Sequence, residues 1–404
     1  MKRIGKRISQ IVFIVCTLFL MGTATYLTTF SEKDDISFYE NRTLAKAPVW
    51  SEKGILSGEW GEKAEAYLAD HVAYRDEILQ LDTYIKCHIL KQPLIKDVVV
   101  TDDYLLPYID EEMRDTSCIE KDLNKVAKNI ASVRDLTESY GGTYCYVSVP
   151  SQYVTHGDDY PWFMHNRDDY TEKARTAFRE RMAKDGILYV DAGDSFAACG
   201  WPDNFSSAID NHNSIEGAYL TYRNIVDFLN AEREIGFDVL EEGEYTTTTL
   251  PNPYLGSRIK ALMGQWQSDE KLSIIEPNEP IPFTRKDYGA PSEPLIYFLP
   301  DTTEENVEYK LYMNGDYAST EIDTNRPELP NVLIYGDSFT NAVECLLYTS
   351  CNKMWSLDMR YCDSSTLEEY INAYEPDVVI CLRDYGAFLS AEDNGGGIES
   401  LLKD

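Results

Sequence analysis

Histidine is scarce in this chain: five residues among 404. Any chemistry that needs an imidazole must draw on His71, His88, His156, His165 or His212. No H-E-x-x-H occurs, and none of the nine cysteines forms a C-x-x-C pair. A zinc site is therefore not expected, nor is any other cofactor. Cys145 and Cys381 sit inside apolar runs and read as buried thiols; one or two disulfides stay open if the compartment is oxidising. Positive charge is also short, with 37 Lys+Arg against 69 Asp+Glu and a net charge of −32. Such a surface repels phosphate backbones, so nucleic acid is a poor partner. No repeat with a period of roughly 20–50 residues is visible, which excludes solenoids and propellers.

What is present is a globular composition. The 29 Tyr, 14 Phe and 6 Trp are spread among charged residues, and 404 residues can bury a sizeable core. The first 30 residues stand apart. Lys2, Arg3, Lys6 and Arg7 come first, and then Ile11 to Phe30 carries no charge. A basic start before an apolar run of roughly 20 residues is an export signal or a membrane anchor. Only "GTATY" offers a small-residue cleavage site, which favours an uncleaved signal-anchor at 1–30 with residues 31–404 outside the cytoplasm. Without those four basic residues the exported part holds 33 basic and 69 acidic side chains, a net of −36.

Past the anchor, "GEWGEKAEAYLADHVAYRDEILQLDTYIKCHIL" has helical periodicity with a phase shift near Tyr74. Further on, strands and helices alternate. "TYCYVSVP", "ILYVD", "NVLIY", "KMWSLD" and "DVVICL" read as strands. Residues 119–140, 170–184, 215–229, 340–348 and 366–373 read as helices, the third capped by Ser214. That alternation predicts an α/β fold with a mainly parallel sheet and helices on both faces. Residues from about 243 to 326 break the pattern with prolines and short Tyr-rich pieces, and read as a β-rich insertion in which "MNGD" turns a hairpin.

The tetrapeptide Gly-Asp-Ser-Phe occurs twice, at 193–196 and 336–339. Ser338 follows a fully apolar strand and precedes a helix. That places its hydroxyl at the carboxyl end of a parallel strand, with backbone N–H groups and a helix N-terminus nearby. Ser195 is followed by "AACGWPDNF" and reads as part of a loop. A serine nucleophile needs a base, and the base an orienting acid. His71 and His88 fall on the early helical stretch, and His156 and His165 in a loop without an orienting pattern. His212 sits in "SSAIDNHNSIEGAY" two residues after Asp210, so the carboxylate can hold the ring in one tautomer. The alternative is an Asp and a His that merely cap the helix that follows.

These pieces resemble the SGNH-hydrolase-like proteins of cell-surface polysaccharide acetylation, the AlgX/AlgJ type, and more closely the DHHW family. The matching segments are "YENRTLAKAPVW", "AEAYLADHVAYRDEIL", "YVSVP", "IDNHNSIEGAY", "YLGS", "VLIYGDSFTN", "WSLDMRY" and "DVVICL". In ordinary SGNH esterases the serine block precedes Asp-x-x-His. In this family Asp-x-His comes first, as Asp210 and His212 do here before Ser338. The name motif Asp-His-His-Trp is altered to Asp210-Asn211-His212-Asn213. The intervening position varies in AlgX-type proteins, and loss of the Trp bears on substrate contacts. The resemblance implies an SGNH-like sheet, an acyl-Ser338 intermediate, His212 as base and Asp210 as its orienter. Gly256, Asn341 and Arg383 are secondary candidates for the oxyanion or the cleft; each also has a plain reading as turn glycine, cap or ion-pair partner. Asp70 and Arg75 match the family's helix signature, and their spacing suits a structural tie between that helix and the sheet. The implied partners are a polysaccharide acceptor and a membrane-bound O-acyltransferase as donor. An exported esterase or deacetylase, and a non-catalytic glycan-binding scaffold, are the alternatives.

Overall fold

The computed structural model describes residues 2–30, 33–40, 42–362 and 364–389. Contacts divide the chain into two compact units: Met1–Lys96 with Ile259–Gln267, and Asp97–Arg258 with Ser268–Asp404.

The first unit is helical. Lys2–Phe30 is one helix, and its Gln10–Phe30 part is long and apolar enough to cross a bilayer, with a mean hydropathy of 2.0. The periodic stretch that follows is two helices, Glu59–His71 and Arg75–Tyr84, the second running into a π-turn at Ile85–Ile89. The break falls at Tyr74, whose φ of 60° is left-handed and ends helical hydrogen bonding. Asp70 and Arg75 bond to the segment at 40–45, in which Arg42–Thr43 pairs as a short strand with Ile36–Ser37. Asp70 accepts two bonds from Arg42, at 2.6 and 2.9 Å, and one from the Ala45 amide at 2.8 Å. Arg75 pairs with Glu40 at 2.7 Å. Both therefore fasten the helical pair to the extended segment at 40–45. Fork geometry explains the preference, since a carboxylate takes both guanidinium donors of Arg42 at once.

The second unit is built on an eight-stranded sheet. Its strands are β1 (Thr143–Val149), β2 (Leu188–Asp191), β3 (Thr284–Asp287), β4 (Ala290–Ser292), β5 (Ser319–Asp323), β6 (Asn331–Gly336), β7 (Lys353–Asp358) and β8 (Val378–Asp384). The order across the sheet is β4-β3-β5-β7-β6-β8-β1-β2. From β7 to β2 all pairs are parallel; β5, β3 and β4 extend the sheet antiparallel. Apart from end residues, β1, β6, β7 and β8 are buried along their length. Continuous burial without alternation means that both faces are covered. Helix α1 (Ile119–Ser139) contacts α2 (Asp168–Asp185) and α6 (Ser364–Tyr374), and α4 (Ile215–Arg233) contacts α3 (Ala192–Ala198) and α5 (Asn341–Leu347). The Ser214 hydroxyl caps α4 by accepting from the Gly217 amide at 3.1 Å.

Two local expectations change. Ser195 lies in the short helix α3, not in a loop, because Asp191 caps that helix through the Gly193 amide. "MNGD" does turn, with Met313, Asn314 and Gly315 all at positive φ. No strands pair across it, since Tyr312 bridges to Tyr297 and β5 pairs with β3 and β7. All nine cysteines are unbridged.

Gly336 closes β6 where a Cβ would overlap the Leu382 carbonyl of β8. That oxygen is backbone and cannot rotate away. Gly336→Ala is expected to lower stability by about 1–3 kcal/mol, read by urea unfolding; an unchanged midpoint would refute the close approach.

Candidate active site

The carboxyl end of β6 leads into the turn Asp337-Ser338-Phe339. The Asp337 side chain accepts from the Phe339 amide at 3.0 Å, and its carbonyl accepts from the Thr340 amide at 2.9 Å. Helix α5 then starts at Asn341, and Ser338 is held half-buried at the edge of the sheet.

A second loop, from 206 to 213, meets this turn. Ser206 and Asn213 form a bridge, reinforced by the Ser206 hydroxyl donating to Asn213 Oδ1 at 2.8 Å. Asp210, 2 % exposed, points inward from the loop. Its Oδ1 accepts from the His212 ring at 2.6 Å and from the His212 amide at 3.1 Å. Its Oδ2 accepts from the Ser257 amide at 2.6 Å. Burial pushes this carboxyl up, but the His212 ring and the two amides outweigh it and hold Asp210 well below the usual carboxylate range.

An ionised carboxylate can only accept, so His212 Nδ1 carries a proton toward it. In the neutral ring Nε2 is then an acceptor, and it lies 2.8 Å from Ser338 Oγ. The Tyr309 ring stacks on the imidazole at 3.7 Å with planes 4° apart, and Phe339 lies at 5.0 Å. These two rings limit how far the imidazole can swing. A base hydrogen-bonded to a hydroxyl, itself oriented by a buried acid, is the arrangement that activates a serine.

The secondary candidates fall differently. Gly256 packs against the Ile209 backbone, where a Cβ would overlap the Ile209 carbonyl; it lets the chain pass close enough for Ser257 to reach Asp210. Asn341 donates its side-chain amide to Asp316 at 3.0 Å. Arg383 is buried and ion-paired with Asp337 at 3.7 Å. Asn211 accepts from the Ser257 hydroxyl at 2.9 Å, so the residue in the altered motif still binds the neighbouring loop. Ser195 is engaged with Asn224 at 2.9 Å, away from any histidine. Ser257 and Tyr309 were missed as site residues, although Ser257 follows Gly256 in "YLGS" and Tyr309 lies in the Tyr-rich stretch. Glu270, which takes the Ala208 amide at 3.0 Å, left no signal in the sequence.

No protein-family model matches the sequence, and no curated protein matches it. Solved structures do. Bacillus cereus PatB1 with a sulfonyl adduct superposes with a TM-score of 0.58 at 20% identity, covering 72% of this chain and 97% of that one. A second structure of Bacillus cereus PatB1 gives 0.55 at 18% identity, covering 72% and 96%. A DHHW family protein from Eubacterium siraeum gives 0.54 at 15% identity, covering 76% and 96%. The chain has the DHHW-type fold. Nearly the whole of each of those chains is matched.

Burial pushes the Glu270 carboxyl up to about 7, with the Asp210 charge adding to the rise and bonds from Ser207 and the Ala208 amide opposing it. An acid whose folded value exceeds its ordinary 4.5 binds extra protons in the folded state, so stability falls as pH rises from about 4.5 to about 7. Glu270→Gln should flatten that fall, which is worth no more than about 3 kcal/mol for a partly exposed group. Melting temperatures measured across this range would show the two proteins' pH profiles diverging; parallel profiles would contradict the assignment.

Proposed function

We propose that this protein is an extracytoplasmic serine acyltransferase that acetylates a polysaccharide hydroxyl through an acyl-Ser338 intermediate. The continuous hydrogen-bond chain from Asp210 through His212 to Ser338 carries this reading. Ser338 Oγ attacks the acyl carbonyl of the donor and passes its proton to His212 Nε2. Asp210 stabilises the imidazolium that forms. The Ser338 amide supports the tetrahedral oxyanion. Collapse breaks the bond to the donor oxygen, which leaves with the proton from Nε2. A sugar hydroxyl then gives its proton to Nε2, attacks the acyl-serine carbonyl, and a second collapse frees Ser338.

Two further observations support it. Bacillus cereus PatB1, which shares the fold, has been solved with a sulfonyl adduct, and an electrophilic sulfonyl group is what an activated nucleophile captures. The Lys2–Phe30 helix, with exposed apolar side chains along its described part, suits an uncleaved anchor that keeps the protein beside a membrane-bound acyl donor.

Mass spectrometry after exposure to 4-nitrophenyl acetate tests the reading. The wild type and Ser195→Ala should each gain one acetyl on Ser338, and Ser338→Ala none. Asp210→Asn should slow acetylation by about 10⁴-fold, because the neutral amide no longer fixes the ring tautomer. An acetyl found on Ser195, or one that survives Ser338→Ala, would sink the proposal. Release of the acetyl only to water, whatever glycan is supplied, would make the protein an esterase instead.

A further inference from the structure

The sheet places several side chains along the same edge as Ser338. Strands β6 and β7 are parallel, with Gly336 opposite Asp358, so their carboxyl ends lie side by side. Strand β5 is antiparallel to β7 and starts where β7 ends, with Ser319 opposite Leu357. Strand β3 runs against β5 and ends at the same edge, with Asp287 opposite Thr320. The segments that follow or precede these ends carry Tyr361, Tyr317 and Tyr288. Successive strands are about 4.8 Å apart, so Tyr361 stands roughly one spacing from the Ser338 turn and Tyr288 roughly three, or about 14 Å. In open α/β sheets, ligands bind outside the carboxyl ends of the strands.

Most tyrosines near the core are buried, but Tyr361 is 60% exposed and Tyr288 63%. Neither hangs loose. Tyr317 meets the Tyr288 ring edge-on at 5.4 Å. The Arg360 guanidinium lies 5.6 Å from the centre of the Tyr361 ring. Arg360 is fixed in turn by Asp358 at 2.6 Å and Asp316 at 2.8 Å. Asp316 also accepts from the Asn341 side chain, and the Asn341 backbone N–H donates to the Ser338 carbonyl at 3.3 Å. A line of polar groups thus connects the nucleophile turn to Tyr361, and Tyr288 presents a second exposed ring farther along the edge. Two carboxylates match the one guanidinium, so this edge offers no surplus positive charge to a phosphate or an acidic sugar.

We propose, building on the acyl-Ser338 reading, that this edge is the acceptor subsite for an extended neutral glycan, which stacks its pyranose faces on Tyr361 and Tyr288. Sugar rings present flat C–H faces ringed by hydroxyls. The exposed rings take the faces, and Asp316, Arg360 and Asn341 supply donors and acceptors for the hydroxyls. Tyr361 serves the unit next to the reacting one, and Tyr288 a unit farther along the chain.

Isothermal calorimetry tests this on Ser338→Ala protein, where no turnover intervenes. The probes are cellohexaose, xylohexaose, maltohexaose and chitohexaose. Binding of at least one is expected, weakened about tenfold by adding Tyr361→Ala or Tyr288→Ala and retained with Tyr361→Phe. The matching disaccharide should be indifferent to Tyr288→Ala. Both rings lie at the surface, so their loss opens no core cavity. If none of the four hexasaccharides binds, or if the alanine variants bind as tightly as their parent, the subsite is overturned. The acyl-Ser338 reading fails on a different signal, the absent acetyl mass on the protein with Ser338 intact.

Discussion

The site depends on one buried charge. A carboxylate withdrawn from water loses several kcal/mol of hydration unless fixed donors replace it. Asp210 has three: the His212 ring, the His212 amide and the Ser257 amide. Much of the nearby architecture serves those bonds. The Ser206–Asn213 bridge folds the loop back so that the His212 amide faces the carboxylate two residues earlier. Gly256 lets the second chain approach the Ile209 backbone, which brings the Ser257 amide into range. Because the charge is kept, the ring proton stays on Nδ1 and Nε2 is left to accept from Ser338.

This constraint explains why the altered DHHW motif does not disturb the geometry. Of the replaced positions, Asn211 bonds to Ser257 on the neighbouring loop and Asn213 to Ser206 at the start of its own. They hold the loop's shape. The kept positions, Asp210 and His212, form the bonds that matter to Ser338.

The sheet was legible because buried parallel strands are apolar along their whole length, and "NVLIY" and "DVVICL" admit few other readings. The Asp-x-His pair was legible because its two side chains are close in sequence. What stayed hidden came from far along the chain. Tyr309 stacks on a ring 97 positions away, and Glu270 caps a loop 62 positions earlier. Neither leaves a periodic or local mark. The same holds for Asp70, where the helix signature was recognised but the partner was not. Spacing on one helix cannot say which distant residue a carboxylate meets, here Arg42. The break at Tyr74 was visible as a phase shift, whereas the short helix around Ser195 was obscured by Gly200 and Pro202 just beyond it.

The two Gly-Asp-Ser-Phe copies show how little a tetrapeptide decides. Each glycine is required, but by different neighbours: a Cβ at Gly193 would overlap the Tyr385 hydroxyl, and one at Gly336 the Leu382 carbonyl. Each aspartate is ion-paired. Asp194 is an exposed partner of Arg175 and Arg179, whereas Asp337 is buried against Arg383 and organises the turn by accepting from Phe339. Each serine donates or accepts one side-chain bond, Ser195 with Asn224 and Ser338 with His212. An amide cannot take a proton from a hydroxyl at neutral pH, but an imidazole can. The difference between a structural serine and a candidate nucleophile therefore lies in the partner that the second loop delivers, and that loop is held in place by the bonds that the buried Asp210 accepts.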